Sequence, residues 1–350
     1  MNIPDGLDIL MVDTENGALN VIGKNKNLTI LNGSTGEAVE YVPVTEYNHL
    51  KEIVDQLVSN AGGIETPSEI IVNNTLTGNI SGGEKDIVIS NIATPLSVGE
   101  TIVTGKNISV DKVKLDSSND AGLLKVSSLD KVTVSNITAS GAYSKNQSQL
   151  IIPSAQSVEI SDSVFTTSGY CFITTGSTTN TNVEAAPSSI ILTNIDFSAG
   201  TAKKNAINIF SFKDNAEITF NNCKFGDLPI ANVIQIFNLL NSKFTLKFVD
   251  CAFKNWATED ADGFNGAVLL HSMRGYNIDF SGSTVIFENC TYAGTPLTEK
   301  YPGTPDTFCG TKAADQLIYV YNVEGIPEDN IEPGSIVAYS AKHYPTVIIK

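Results

Sequence analysis

Apolar and polar residues alternate along most of the chain in short runs, and one such run recurs. Its pattern is apolar, any, apolar, any, Asn or Asp, apolar, any, aromatic or apolar, and it occurs eight times between residues 87 and 292. The copies are IVISNIAT (87–94), ISVDKVKL (108–115), VTVSNITA (132–139), VEISDSVF (158–165), IILTNIDF (190–197), ITFNNCKF (218–225), LKFVDCAF (246–253) and VIFENCTY (285–292). Each opens with a period of two, which predicts a β-strand. The fifth position holds Asn91, Lys112, Asn136, Asp162, Asn194, Asn222, Asp250 and Asn289. Seven of these eight are Asn or Asp of the kind that tolerates a left-handed backbone, so the strand is expected to bend there.

Aligning the copies on that bend gives columns. Two residues before it stand Ile89, Val110, Val134, Ile160, Leu192, Phe220, Phe248 and Phe287. Four before it stand Ile87, Ile108, Val132, Val158, Ile190, Ile218, Leu246 and Val285. After it the expected inward columns are Ile92, Val113, Ile137, Ser163, Ile195, Cys223, Cys251, Cys290, and then Thr94, Leu115, Ala139, Phe165, Phe197, Phe225, Phe253, Tyr292. The bends are 21, 24, 26, 32, 28, 28 and 39 residues apart. These gaps are too irregular for a coiled coil and mostly too short for helix crossovers or propeller blades, and they fit solenoid coils that shed surplus residues as loops. LLKV (123–126), QLIIP (149–153), YCFIT (170–174), INIF (207–210), VIQIF (233–237) and AVLLH (267–271) supply other walls of the coils. The predicted fold is therefore all-β, a right-handed parallel β-helix over residues 64–295, with eight coils making a rod of roughly 40 Å.

The ends read differently. Residues 1–63 hold LDILMVD, ALNVIG, NLTILN and AVEYVPV, which predict a small β-meander. A short helix follows from Thr45 to the Gly62–Gly63 stop. Its Tyr47, Leu50, Val54 and Leu57 are spaced 3, 4, 3, which suits either a coiled-coil seam or a cap on the open end of the solenoid. Residues 296–350 comprise a Pro/Gly/Thr-rich loop and then LIYVYNV, SIVAYS and TVIIK, expected to close the distal end or to join a neighbouring chain.

Charge narrows the function. The net charge is −16 and the pI is near 4.5, which disfavours nucleic acid and anionic membrane as partners. Of the 22 lysines and arginines only Arg274 is arginine, so bidentate grips on anionic substrates are scarce. No basic leader and no membrane-spanning stretch is visible. The eight Asn-x-Ser/Thr triplets, at Asn27, Asn32, Asn73, Asn79, Asn107, Asn136, Asn146 and Asn289, are the chance product of this composition.

The repeated strand with Asn at its bend and Cys or Phe after it resembles the pectate-lyase-like right-handed β-helix superfamily, across roughly residues 85–292. That superfamily holds polysaccharide lyases, glycoside hydrolases and phage tailspikes. The separate N-terminal region without a leader is similar to the layout of a bacteriophage head fibre or tailspike. The resemblance implies a virion-exterior structural protein, a homotrimer that docks to other virion proteins through its N-terminal region and attaches to bacterial surface polysaccharide. The alternative is a polysaccharide depolymerase of the same architecture.

An enzyme of this type needs carboxylates grouped on neighbouring coils. The outward column one before the bend reads Ser90, Asp111, Ser135, Ser161, Thr193, Asn221, Val249, Glu288, and the column three before reads Val88, Ser109, Thr133, Glu159, Ile191, Thr219, Lys247, Ile286. No two acids adjoin in either, so no catalytic residue, metal site or cofactor is assigned. His49, His271 and His343 have no partners at ligand spacing. The candidate glycan contact is the longest insertion, where Trp256 and Phe264 could stack on a sugar ring beside Glu259, Asp260 and Asp262. Those three acids precede a glycine as in part of a calcium loop, but the closing bidentate Glu is missing. Finally, Cys223, Cys251 and Cys290 share one inward column, which predicts buried, reduced thiols, with Cys171 and Cys309 also free.

Overall fold

The computed structural model describes residues 8–13, 18–22, 27–31, 38–43, 69–76, 78–97, 99–118, 122–141, 148–166, 168–169, 171–176, 183–202, 205–226, 232–237, 240, 242–256, 266–271, 280–303, 309–310, 317–321 and 345–350. Two compact units make up the chain, Met1–Thr66 and Pro67–Lys350.

The first unit contains a four-stranded sheet in the order Ala18–Ile22, Asp8–Asp13, Asn27–Leu31, Ala38–Pro43. All four expected strands form, but the connection is not a simple meander. Asn27–Leu31 leaves its sequence neighbour and pairs in parallel with Asp8–Asp13, while the two outer pairings are antiparallel. The apolar stretch Ile9–Val12 thereby becomes a central strand with neighbours on both sides, the position that suits a nearly continuous apolar run. The expected helix from Thr45, with Tyr47, Leu50, Val54 and Leu57, lies outside the described residues.

The second unit is a right-handed parallel β-helix. Each coil runs through three sheets in turn. The first sheet has ten strands, from Glu69–Asn73 through Asp86–Ser90, Ile108–Asp111, Lys131–Ser135, Ser157–Ser161, Ser189–Thr193, Ala216–Asn221, Phe244–Val249 and Thr284–Glu288 to Thr346–Ile349, all in parallel. The second sheet follows the bend and holds short strands such as Lys224–Phe225 and Ala252–Phe253. The third contains Leu123–Ser128, Ser148–Ser154, Cys171–Thr175, Asn205–Ile209, Asn232–Ile236 and Val268–His271 among its ten strands.

The bend falls where the sequence places it. All eight aligned residues are left-handed, with φ between 50° and 57°, a conformation that favours Asn and Asp among residues with a side chain. Lys112 adopts it as well, at φ 54°. Along this edge the side-chain amides bridge coils: Asn194 Nδ2 donates to Asp162 Oδ1 and Asn222 Nδ2 to Asn194 Oδ1, both at 2.9 Å.

Inward residues of the first sheet are buried and outward ones half-buried, in strict alternation. Stacking at the strand spacing turns the columns into ladders. Phe220, Phe248 and Phe287 form one, with centroids 5.1 and 4.8 Å apart. Phe165, Phe197, Phe225 and Phe253 form another, at 5.2, 5.3 and 5.2 Å. Ser163, the polar member of its column, is fully buried yet satisfied: its hydroxyl donates to Ser161 O and accepts from Ile137 N.

The structure adds to the expected repeat and corrects it. Glu69–Asn73 and Asn74, left-handed at φ 70°, form an earlier turn of the first sheet. Thr346–Ile349 pairs with Thr284–Glu288 and so extends the first sheet of its own chain. Thr94 is exposed rather than inward, and Leu96 takes its place beside Leu115. Pro95 intervenes and has no N–H to offer the ladder, so pairing resumes one residue later. At the far end the second sheet stops at Thr295–Pro296, which turns back antiparallel, and the helix Leu297–Lys300 lays Leu297 against the core.

Candidate functional site

Trp256 lies inside the core, not on a sugar-stacking platform. It is 1% exposed and sits edge-on between Phe253, 5.5 Å away, and Tyr292, 4.4 Å away. An indole enclosed in this way offers no open face to a pyranose. The reason is positional: Trp256 follows Phe253 closely enough to turn back over the last rings of the aromatic ladder. Its candidate companions Glu259, Asp260, Asp262 and Phe264, like Arg274, lie outside the described residues.

The outer face of the first sheet is lined mainly by Ser, Thr and Asn. Register pairs Asp111 with Ser135 and Val249 with Glu288. Burial of Asp111 opposes ionisation, but hydrogen bonds from Asn136 and Ser135 outweigh it and hold the carboxyl below the usual carboxylate range. Glu288 is held low by Lys247 and Lys350, whose ammonium groups lie 3.0 and 3.2 Å away. Both acids are thus fixed acceptors near neutrality, poorly suited to donate a proton. One column that the sequence reading left unread, five before the bend, does bring two acids into register, Glu69 and Asp86. Asp86 is occupied there with the side chain of Asn107, which donates to Oδ1 at 2.9 Å. Among the described residues no group of three His, Cys, Asp or Glu side chains could hold a metal ion.

The thiols occupy the core. Cys171, Cys223, Cys251 and Cys290 are free and buried, and successive members of the 223–251–290 column touch. Burial pushes the Cys171 thiol up to about 11, and contact with Cys223, with burial, pushes Cys251 up to about 12. Protonated, enclosed thiols of this kind are poor nucleophiles.

The third sheet departs most from what its strands suggested. Strands such as INIF and VIQIF read as plain walls of the coil, yet Asn205–Ile209 and Asn232–Ile236 are buried at every residue, on both faces. They include Asn205, Asn208, Asn232 and Gln235, each no more than 8% exposed. Polar residues at the first and fourth positions of otherwise apolar strands were the available signal. The connections explain why this face matters. The bend between the first and second sheets keeps a fixed form, whereas both corners flanking the third sheet vary in length: 117–122 against 254–267 at one, 129–130 against 176–188 at the other.

No protein-family model, no curated protein and no solved structure matches this chain. Its class is therefore stated from its own architecture, a right-handed parallel β-helix.

Proposed function

We propose that this protein is a structural fibre or spike on the exterior of a bacteriophage particle, which displays its β-helix for attachment to bacterial surface glycans. The N-terminal unit docks to other virion proteins, and the working assembly is a homotrimer. The observation that carries this reading is the division of the coil into a constant part and a variable part. One bend and the core columns repeat from coil to coil, while insertions gather at the two corners beside the third sheet. A rigid stack that varies on one side suits display, since the loops of a solenoid commonly lie on its binding face. The amide- and hydroxyl-rich outer walls also suit sugars better than charged partners.

The test is adhesion. Fluorescently labelled full-length protein is expected to bind the cells of some bacterial strains in a panel, to lose that binding after periodate oxidation of the cells, and to release no reducing ends from their purified polysaccharides. Binding that survives periodate but not protease treatment of the cells would replace glycan by protein as the receptor. Steady release of reducing ends would make the chain a depolymerase.

A further inference from the structure

The first coil of the solenoid is open on the side that faces away from the stack. Glu69–Asn73 lies at the end of its ten-stranded sheet and pairs on one side only, with Asp86–Ser90. Asn74 shows which backbone groups that pairing uses: its N–H donates to Ser90 O at 3.2 Å, and its carbonyl accepts from Ala93 N–H at 3.1 Å. Backbone groups point to alternate sides along a strand, so Ile70 and Val72 also face the stack. The N–H and C=O groups of Glu69, Ile71 and Asn73 then point away from it, and they have no backbone partner among the described residues. Ile71 is 66% exposed, so the edge is open to solvent. The strand has no Pro, Lys or bulge of the kind that blunts a free edge. The core is uncovered here as well. Ile70 and Val72 point inward yet are only partly buried, whereas Ile87 and Ile89, their register partners one coil on, are 1% and 0% exposed.

We infer that Glu69–Asn73 is a docking edge to which another protein adds an extended strand. Such a strand satisfies the free backbone groups, and every second side chain of it covers Ile70 and Val72. Those side chains must be apolar. Charge sets a further requirement. Glu69 stands opposite Asp86 in register, Asp86 is engaged with the Asn107 amide, and no cation pairs with Glu69 among the described residues. Like charges directly opposite each other weaken a ladder and opposite charges strengthen it, so the added segment carries Lys or Arg at the position facing Glu69. A second copy of the chain is the poorer fit. Stacked head to tail it would offer the other edge of the same sheet, Thr346–Ile349, where Val347 is only 7% exposed and the helix Leu297–Lys300 lies against the core. In continued register that edge would also set Thr346, not a cation, against Glu69.

This inference goes beyond the attachment reading and does not depend on it. The experiment presents full-length protein with a displayed library of random nine-residue segments. Selection is expected to enrich segments with apolar residues at alternate positions and Lys or Arg next to them. Synthetic copies should bind at least tenfold more weakly when one alternate set of backbone nitrogens is methylated and should be unaffected when the other set is, a difference that simple apolar adhesion would not produce. Ile71→Pro removes one free N–H without touching the ladder to Asp86–Ser90 and should weaken binding at least tenfold, with thermal unfolding establishing that it folds. Glu69→Lys should turn the selected segments from basic to acidic. No enrichment, or segments that bind regardless of the methylation pattern and of residue 69, would overturn the inference. Capture of a synthetic peptide of residues 345–350 in place of library segments would make the occupant a second copy and overturn it too.

Discussion

The ring of Phe287 lies 4.8 Å from that of Phe248 and 3° from parallel to it, so the side chains repeat at the spacing of the backbone ladder that carries them. Phe248 is fully buried and also meets Phe220 at 5.1 Å and the edge of Phe253 at 5.6 Å. Phe248→Ala would open a cavity with rings on three sides. The expected cost is about 3–5 kcal/mol, read as a fall in the urea midpoint. A loss under about 1 kcal/mol would mean that the ladder can collapse around the gap, contrary to the close packing of such interiors.

The left-handed column makes opposite predictions at two of its members. Lys112 is strained at φ 54° without the amide that serves its neighbours, and its side chain is well exposed. Lys112→Asn is expected to stabilise the protein by about 0.5–1 kcal/mol, part of the roughly 1–2 kcal/mol that a left-handed residue costs. Asn222→Val should lose about that full amount, and with it the hydrogen bond to Asn194. Equal midpoints for wild type and Asn222→Val would show that the bend does not select its residue.

What the sequence made legible was the part of the coil whose physics repeats. A bend that needs a left-handed residue, flanked by columns that must be apolar, leaves a periodic mark, and every aligned position from Asn91 to Asn289 has the expected conformation. Glu69–Asn73 and Thr346–Ile349 escaped because one flank of each lacks the second half of the pattern. Trp256 was misplaced because exposure in an insertion depends on where the chain turns after Phe253, which no local pattern encodes. The third sheet's polar face was hidden for a similar reason. Asn208 and Gln235 look like ordinary outward residues of an alternating strand, and nothing in the strand's own pattern marks them as buried.

The thiols give a prediction in pH. Cys171 is fully buried and pushed up to about 11, above the 8.5 or so of an unfolded thiol. A raised folded value means that the native state holds its proton more tightly than the unfolded state. The stabilisation is complete below about pH 8.5 and is lost as pH rises toward 11. Each unit of that difference corresponds to about 1.4 kcal/mol. Wild type should therefore lose stability across this window faster than Cys171→Ala, in which lysines and tyrosines titrate alike. Parallel pH profiles for the two proteins would remove Cys171 as a contributor. Alkylation of the denatured, unreduced protein, followed by mass spectrometry, should in addition find all five cysteines modified; a disulfide within the 223–251–290 column would contradict the free, reduced state of these thiols.

The last prediction concerns assembly. Val88, Ile191, Val249 and Ile286 point outward from the first sheet and are half-buried by their neighbours within the chain, so they need little further cover. Ile71 and Ile348 differ: they are 66% and 40% exposed. They lie in one outward column, each on the strand at its own edge of the sheet. Large aliphatic side chains left open at both ends of a rod are sites for contact with another chain, and parallel rods side by side would cover both at once. The proposed homotrimer accordingly has a mass about three times the 37.3 kDa of the chain, measured by light scattering at micromolar concentration. Replacing both residues, Ile71→Lys with Ile348→Lys, is expected to shift the population toward the monomer without lowering its thermal stability, because neither side chain belongs to the core. A wild-type mass near 37.3 kDa would refute the trimer and take with it the main mechanical argument for a fibre. A trimer untouched by the double substitution would move the interface to the N-terminal unit, where the 3, 4, 3 spacing of Tyr47, Leu50, Val54 and Leu57 offers a seam between chains.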